Sequence, residues 1–305
     1  GLKRLRDIKC YDDQRIKILT ANFNSSIDEG LASEIGEIEY IFHLGAETHV
    51  DRSIEDAEPF VISNVLGTLR LLEYARTQKS LKKFFYFSTD EVFGPAPGKT
   101  AYKEWDRYNS GNPYAAAKAG GEELCLAYGN THKVPVVITH CMNIFGERQH
   151  PEKFIPLVIN RVLSGNKILI HSDANKKIPG SRFWIHARNV AAAVVFLMDK
   201  AATQDKYNIV GEREVNNLEM AQFIAKVIGK PLNYELVDFH TSRPGHDLRY
   251  GLDGQKMFDM GWRLPLNFEH SLEKTVLWFL KNPQWLERSE IDTNAFDVSK
   301  SRKSA

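Results

Sequence analysis

Four short apolar runs of strand length, at residues 16–19, 40–44, 83–88 and 136–141, recur along the first half of the chain. Stretches with helical apolar spacing lie between them, at 61–76 and from 114 to roughly 128. Side chains repeat every second residue along a strand and every 3.6 residues around a helix. A chain that alternates between those periods buries both kinds of face by laying its strands in parallel and crossing back through helices. The expectation is an α/β fold, a doubly wound parallel sheet with helices on both sides. Ligands of such sheets collect beyond the carboxyl ends of the strands, so chemistry is sought just after residues 44, 88 and 141.

Beyond about residue 145 the pattern loosens, and Pro151, Pro156, Pro179, Pro231, Pro244 and Pro265 punctuate it. Helices are expected at 156–163, 187–199, 217–228 and 272–281. The division expected is 1–150 for the first domain, with later segments returning to it, and 151–286 for a smaller, substrate-facing α/β region. The stretch 287–305, rich in Ser, Lys, Asp and Asn, reads as a flexible tail. Forty basic residues nearly cancel thirty-nine acidic ones. No overall field gathers nucleic acid or an anionic membrane, and any anionic ligand must be met locally. Cys10, Cys125 and Cys141 are odd in number and widely spaced, which suits a reducing, cytoplasmic setting better than a disulfide framework or a zinc site. His43, His140 and His186 sit among apolar residues and are expected in core or turn positions, so no metal is predicted. No apolar run has the length to span a bilayer.

The run 83–88 leads straight into Thr89-Asp90-Glu91, placing a hydroxyl and two carboxylates at a strand's carboxyl end. Thr and Asp also cap turns and helices, and the tripeptide alone leaves both uses open. Downstream, Asn112-Pro113 precedes Tyr114-Ala-Ala-Ala-Lys118. Tyr and Lys four apart share one face of a helix, where an ammonium favours the phenolate and suits the phenol to proton abstraction. Taken alone, the same spacing also fits a surface pair.

Together, Ser88-Thr-Asp-Glu-Val-Phe-Gly94 and Tyr114-x-x-x-Lys118 resemble the catalytic signature of dTDP-glucose 4,6-dehydratases, within the extended short-chain dehydrogenase/reductase (NAD-dependent epimerase/dehydratase) family. The segment from His43 to Ser53, the stretch Cys141-Met-Asn-Ile-Phe-Gly146 with Pro151 to Pro156, and Arg243-Pro-Gly-His-Asp247 are similar to further family segments in the same order. The resemblance implies a Rossmann-like sheet, NAD as cofactor, a nucleoside-diphosphate sugar as substrate and a homodimer. By resemblance, Tyr114 takes the sugar 4-hydroxyl proton, Lys118 lowers the phenol's pKa and holds the nicotinamide ribose, and Thr89 hydrogen-bonds the reacting hydroxyl. Glu91 is the base at C5 and Asp90 the acid to the departing 6-hydroxyl. Asn22, Phe23, Leu44, Gly45 and Ala46 join Tyr114 and Lys118 at the cofactor. Glu47 and Asn143 face the sugar, while Lys153, Phe154, Arg182, Asn208, Arg243 and His246 meet the nucleotide or its diphosphate.

Three departures qualify the pattern. No Gly-x-x-Gly-x-x-Gly turn occurs, and a further segment with a first strand and that turn is expected ahead of Gly1. Asn22-Phe23 stands where the family carries Asp and an aliphatic residue, and the loop 171–182 is longer than the family's turn. Epimerisation or decarboxylation on the same scaffold, and a non-catalytic nucleotide-sugar binder, are the competing readings.

Overall fold

The structure is a computed structural model that describes residues 2–239 and 248–287. Arg243, His246 and the tail expected from 287 lie outside the described residues, except Glu287 itself. Two compact units divide the rest. The first comprises residues 2–141, 194–209 and 248–262, and the second 142–193, 210–239 and 263–287.

The chain begins with α1 (Leu2–Asp7), α2 (Glu29–Ile35), β1 (Tyr40–His43), α3 (Val50–Glu55), α4 (Glu58–Val61) and α5 (Gly67–Ala75). Next come β2 (Lys83–Thr89), α6 (Pro113–His132), β3 (Val136–Cys141), β4 (Ile144–Phe145), α7 (Phe154–Ser164), β5 (Ile168–Ser172), β6 (Ser181–Phe183) and β7 (Ile185–His186). The described chain ends with α8 (Ala187–Lys200), β8 (Asp205–Ile209), β9 (Glu214–Asn216), α9 (Asn217–Ile228), β10 (Tyr234–Asp238), α10 (Gln255–Asp259) and α11 (Phe268–Lys281).

In the first unit, β1, β2, β3 and β8 pair in that order and all in parallel. Strands of a parallel sheet are covered on both faces, which is why β2 reads as an unbroken run of large apolar residues. Phe84, Phe85 and Tyr86 are fully buried there, as are Val136, Val137 and Ile138 of β3. The register sets Ser88 opposite His140 and Thr89 opposite Cys141, so the two strands end side by side.

The expected strand at 16–19 does not form. Its residues belong to no strand of the described structure, and Ile16 and Ile18 stay about two-fifths exposed. Among the described residues β1 is the edge of the sheet. Without a ladder its backbone groups have no reason to leave water.

The helix expected at 61–76 spans α4 and α5 with a π-turn, Ile62–Leu66, between them. Widening the helix by one residue turns Asn64 inward, where it is 1% exposed. Its Oδ1 accepts from the Glu47 N–H at 2.9 Å, and its Nδ2 donates to the Glu47 carbonyl at 3.0 Å. This one buried amide fixes the loop that follows β1.

The second unit has its own core, in which Phe145, Ile159, Ile170, Trp184, Met220, Ile224, Leu272 and Phe279 pack together. The helix expected at 217–228 appears as α9, capped by Asn216, whose Oδ1 accepts from Glu219 N–H. Short strand pairs complete it: β5 with β10 and β4 with β7 in parallel, and β6 with β9 antiparallel.

Candidate active site

β2 stops at Thr89 because the next four residues, Asp90–Phe93, wind into a 3₁₀ turn. The Thr89 hydroxyl caps that turn, accepting from the Glu91 N–H at 3.3 Å, and donates to Asp90 Oδ1 at 3.0 Å. Gly94 ends it with φ of 74°, where a Cβ would lie 2.2 Å from the Asn109 carbonyl oxygen. Only glycine fits both the left-handed backbone and that approach. Thr89 and Asp90 are buried and Glu91 is half-buried.

α6 brings Tyr114 and Lys118 to the same strand end. Its start is set by Asn112-Pro113, the pairing of a capping amide with a proline in the first turn. Asn112 Oδ1 accepts from the Ala115 N–H at 2.9 Å, and its Nδ2 donates to Glu91 Oε2 at 3.0 Å. One side chain thus starts the helix and holds a candidate catalytic carboxylate. Ser53 of α3 accepts from the Tyr114 N–H at 3.1 Å, and the Tyr250 hydroxyl reaches Glu91 Oε2 at 3.5 Å. Replacing Asn112 by Ala is expected to cost about 1 kcal/mol of stability through the cap. It should also lower turnover about tenfold, with KM little changed, as Glu91 loses a charge-assisted donor. Thermal unfolding and steady-state kinetics check the two effects separately.

The structure therefore gathers Thr89, Asp90, Glu91, Tyr114 and Lys118 within one unit. The electrostatics differ from expectation in one respect. Burial, then the Glu91 carboxylate, raise the Tyr114 phenol above its ordinary pKa; hydrogen bonding by Thr89 opposes them, and Asp90 adds to the rise. Burial is the largest of these influences, and a cationic group close to the phenol would act against it. Lys118 itself is pushed down to about 8, mainly by burial, with Glu122 opposing. Among the described residues no carboxylate lies within salt-bridge distance of its ammonium.

At the end of β1, Leu44 and Gly45 are exposed, Ala46 is half-buried and Glu47 is exposed. The ring of Phe23 packs over Gly45 and Gly67 and meets His43 edge-on at 5.6 Å. Asn22 lies beside it, exposed, its Oδ1 accepting from the Asn24 N–H at 3.0 Å. Small residues at a strand end together with an ammonium free of carboxylates fit the ribose hydroxyls of a nucleotide. In the second unit, Asn143 is exposed and its carbonyl accepts from the Ile185 N–H. Lys153 occupies the position just before α7, Phe154 tilts against Trp184 at 5.7 Å, and Arg182 is half-buried on β6, with Nη1 donating to the Ser181 carbonyl.

Asn208 lies in the interior of the first unit. It is fully buried in β8; its Nδ2 donates to the carbonyls of Tyr102 and Asp253 at 3.0 Å each, and its Oδ1 meets His140 Nδ1 at 3.0 Å. Both ends of the amide are hydrogen-bonded within the first unit. A polar residue after a Lys-Tyr pair looks like a strand end in sequence, but here the strand continues to Ile209.

Behind the site lies a buried charge cluster that sequence reading missed. Glu122, one helical turn beyond Lys118, accepts from Ser88 and Tyr108 and faces His140 Nε2 at 3.2 Å and Lys206 Nζ at 3.4 Å. Lys206 sits over the rings of Tyr108 and Trp105 and donates to the Tyr108 hydroxyl. The only signal in the sequence was the four-residue spacing of Lys118 and Glu122, common on any helix surface.

The profile of the NAD dependent epimerase/dehydratase family matches residues 11–210. The chain is 36% identical over 260 residues to a dTDP-glucose 4,6-dehydratase of Actinoplanes sp., covering 85% of this chain and 79% of that one. It is 32% identical over 299 residues to a probable dTDP-glucose 4,6-dehydratase of Sinorhizobium fredii, covering 93% and 83%. Its fold is similar to that of DesIV, a dTDP-glucose 4,6-dehydratase from Streptomyces venezuelae solved with NAD and TYD bound, with a TM-score of 0.82 and 32% identity over 93% of this chain and 85% of that one. A matching profile over two-thirds of the chain, and relatives above 30% identity along most of its length, establish that the chain belongs to the NAD dependent epimerase/dehydratase family.

Proposed function

We propose that the protein is a hydro-lyase that catalyses the NAD-dependent 4,6-dehydration of a nucleoside-diphosphate hexose, of the dTDP-glucose or UDP-glucose type, to the 4-keto-6-deoxy sugar. The observation that carries the reading is the meeting of Thr89, Asp90 and Glu91 with Tyr114 at the end of β2. Dehydratases similar in sequence along most of the chain support it. Losing a hydroxyl from an unactivated carbon requires a transient oxidation, a base and an acid. Bound NAD supplies the oxidation by accepting a hydride and returning it. Tyr114 takes the 4-hydroxyl proton, steadied by Thr89. The resulting 4-keto group acidifies C5, where Glu91 removes the proton, and Asp90 protonates the 6-hydroxyl as it leaves as water. The hydride taken from C4 would return to C6 as Glu91 gives its proton back to C5, so the net reaction is loss of water with no change in the cofactor.

Lys118, Leu44 and the small residues Gly45 and Ala46, with Asn22 and Phe23, are assigned to the cofactor, and Glu47 to the sugar. In the second unit Asn143 is assigned to the sugar, and Lys153, Phe154 and Arg182 to the nucleotide, a guanidinium fork suiting diphosphate oxygens. Arg243 and His246 keep the same assignment on sequence resemblance alone. We further assign the protein to deoxysugar biosynthesis, a homodimeric state and the cytoplasm. The exposed apolar side chains Ile54, Val61 and Ile62 support association, and no described helix is long and apolar enough to cross a membrane.

The reading is tested with substrate deuterated at C4. Full-length protein with NAD should deliver that label to C6 of a 4-keto-6-deoxy product, and label retained at C4 or lost to solvent rejects dehydration. Asp90→Asn should lower dehydration at least about a hundredfold. An epimerase working on the same scaffold has no comparable need for that acid.

A further inference from the structure

Tyr86 stands on β2 three residues before Thr89 and is fully buried. Alternation along the strand puts Phe84, Tyr86 and Ser88 on one face, and α6 covers it. The Tyr86 hydroxyl donates to the Lys118 carbonyl at 3.1 Å, while the Lys118 ammonium lies 4.2 Å from the centre of the same ring. One tyrosine therefore holds both the main chain and the side chain of one lysine. The approach requires a glycine inside α6, where glycine is otherwise unfavourable. A Cβ at Gly121 would lie 2.3 Å from the Tyr86 hydroxyl and 2.7 Å from the Asn64 carbonyl oxygen.

The groups around Lys118 leave the ring a distinct part to play. On α6 these are Glu122 and Cys125; β1 contributes His43, β2 Tyr86 and β3 Cys141. Burial keeps both thiols protonated, raising Cys125 well above its ordinary value and Cys141 to about 12. Burial, with the Lys118 charge adding to it, pushes His43 down to about 3, so its imidazole stays neutral. Glu122 is engaged by Ser88, Tyr108, His140 and Lys206. The negative face of an aromatic ring attracts a desolvated ammonium, and here it is the surface against which that ammonium rests.

We infer that Tyr86 is a positioning residue for Lys118, its ring face seating the ammonium and its hydroxyl fixing the helix turn that carries it. The catalytic consequence rests on the dehydratase reading; the effect on the lysine does not. The sequence around Thr89 gives no hint of this, since Tyr86 reads there as one more core aromatic.

Full-length protein carrying Tyr86→Phe, and the same position replaced by pentafluorophenylalanine, isolates the ring face. Both lack the hydroxyl and have nearly the same shape, while fluorination removes the negative face. Lys118 titration is followed by NMR of labelled lysine, assigned with Lys118→Arg, alongside kcat, KM and thermal midpoint. Relative to Tyr86→Phe, the fluorinated protein should titrate Lys118 about one unit lower. Its kcat should fall about tenfold, with KM within about twofold and the thermal midpoint unchanged. A fluorinated protein that titrates and turns over like Tyr86→Phe overturns the inference. So does a shifted kcat without a shifted lysine. If the unaltered protein turns over no nucleotide hexose, the dehydratase reading fails, and the lysine titration still decides the role of Tyr86.

Discussion

Tyr114→Phe is expected to lower turnover of the nucleotide hexose on the order of 10³-fold, within the range for loss of a positioned acid–base group. Thermal stability should barely change. The phenol hydrogen-bonds with Thr89, and Ser53 holds the residue through its backbone N–H, which Phe keeps. KM should move little, since the lost hydroxyl acts on the proton in flight more than on the bound sugar. The pH profile supplies a second check. Burial, then the Glu91 and Asp90 carboxylates, raise the phenol, and a cationic group placed beside it would lower it. Phenolate absorbance should therefore appear at lower pH with oxidised cofactor present than without it, and Tyr114→Phe should abolish the difference. An unchanged titration on adding cofactor would remove Tyr114 from its assigned role.

The second large effect concerns stability. Glu122→Ala should cost about 3–5 kcal/mol, because it leaves the Lys206 ammonium buried without its counter-charge and takes a hydrogen-bond partner from His140. That corresponds to a fall of about 10 °C in thermal midpoint. Removing Lys206 as well, in Glu122→Gln with Lys206→Met, should recover part of the loss, since a buried pair replaced together costs far less than one broken. If the double variant is no more stable than Glu122→Ala, the cluster is not electrostatically coupled. Burial alone would raise the Glu122 carboxyl, but His140, Lys206 and the Ser88 hydrogen bond outweigh it and bring it to about 2, below the ordinary 4.5. A carboxyl depressed in the folded state stabilises fully above its unfolded value. The contribution of Glu122 should thus be intact above about pH 4.5 and disappear as pH falls towards 2. Urea midpoints measured across that window, in the unaltered protein and in Glu122→Gln, should converge at the acid end.

Where periodicity and capping chemistry were explicit, the chain was legible. The apolar runs at 83–88 and 136–141 became β2 and β3 because both faces of those strands are buried, and Asn112-Pro113 started α6 because an amide cap and a first-turn proline suit a helix N-terminus. The run at 16–19 carried the same local signal yet formed no strand, since pairing depends on a neighbour and not on composition. The burial of Asn208 was not legible for the converse reason. Whether an amide faces solvent or a buried histidine is decided by where β8 lies against β3, a contact across sixty-eight residues of chain.

From its sequence alone, this protein determined the kind of fold and the identity of its reactive groups: an alternation of two periodicities has few ways to bury itself, and hydroxyl, carboxylate and phenol carry their chemistry wherever they sit. Tertiary structure alone decided how those groups behave. The π-turn that aims Asn64, the carboxylates that raise the Tyr114 phenol, the tyrosine beneath Lys118 and the charge cluster around Glu122 all join residues far apart in sequence. Distance and burial set electrostatic energies in a folded interior, and neither is written in the order of residues.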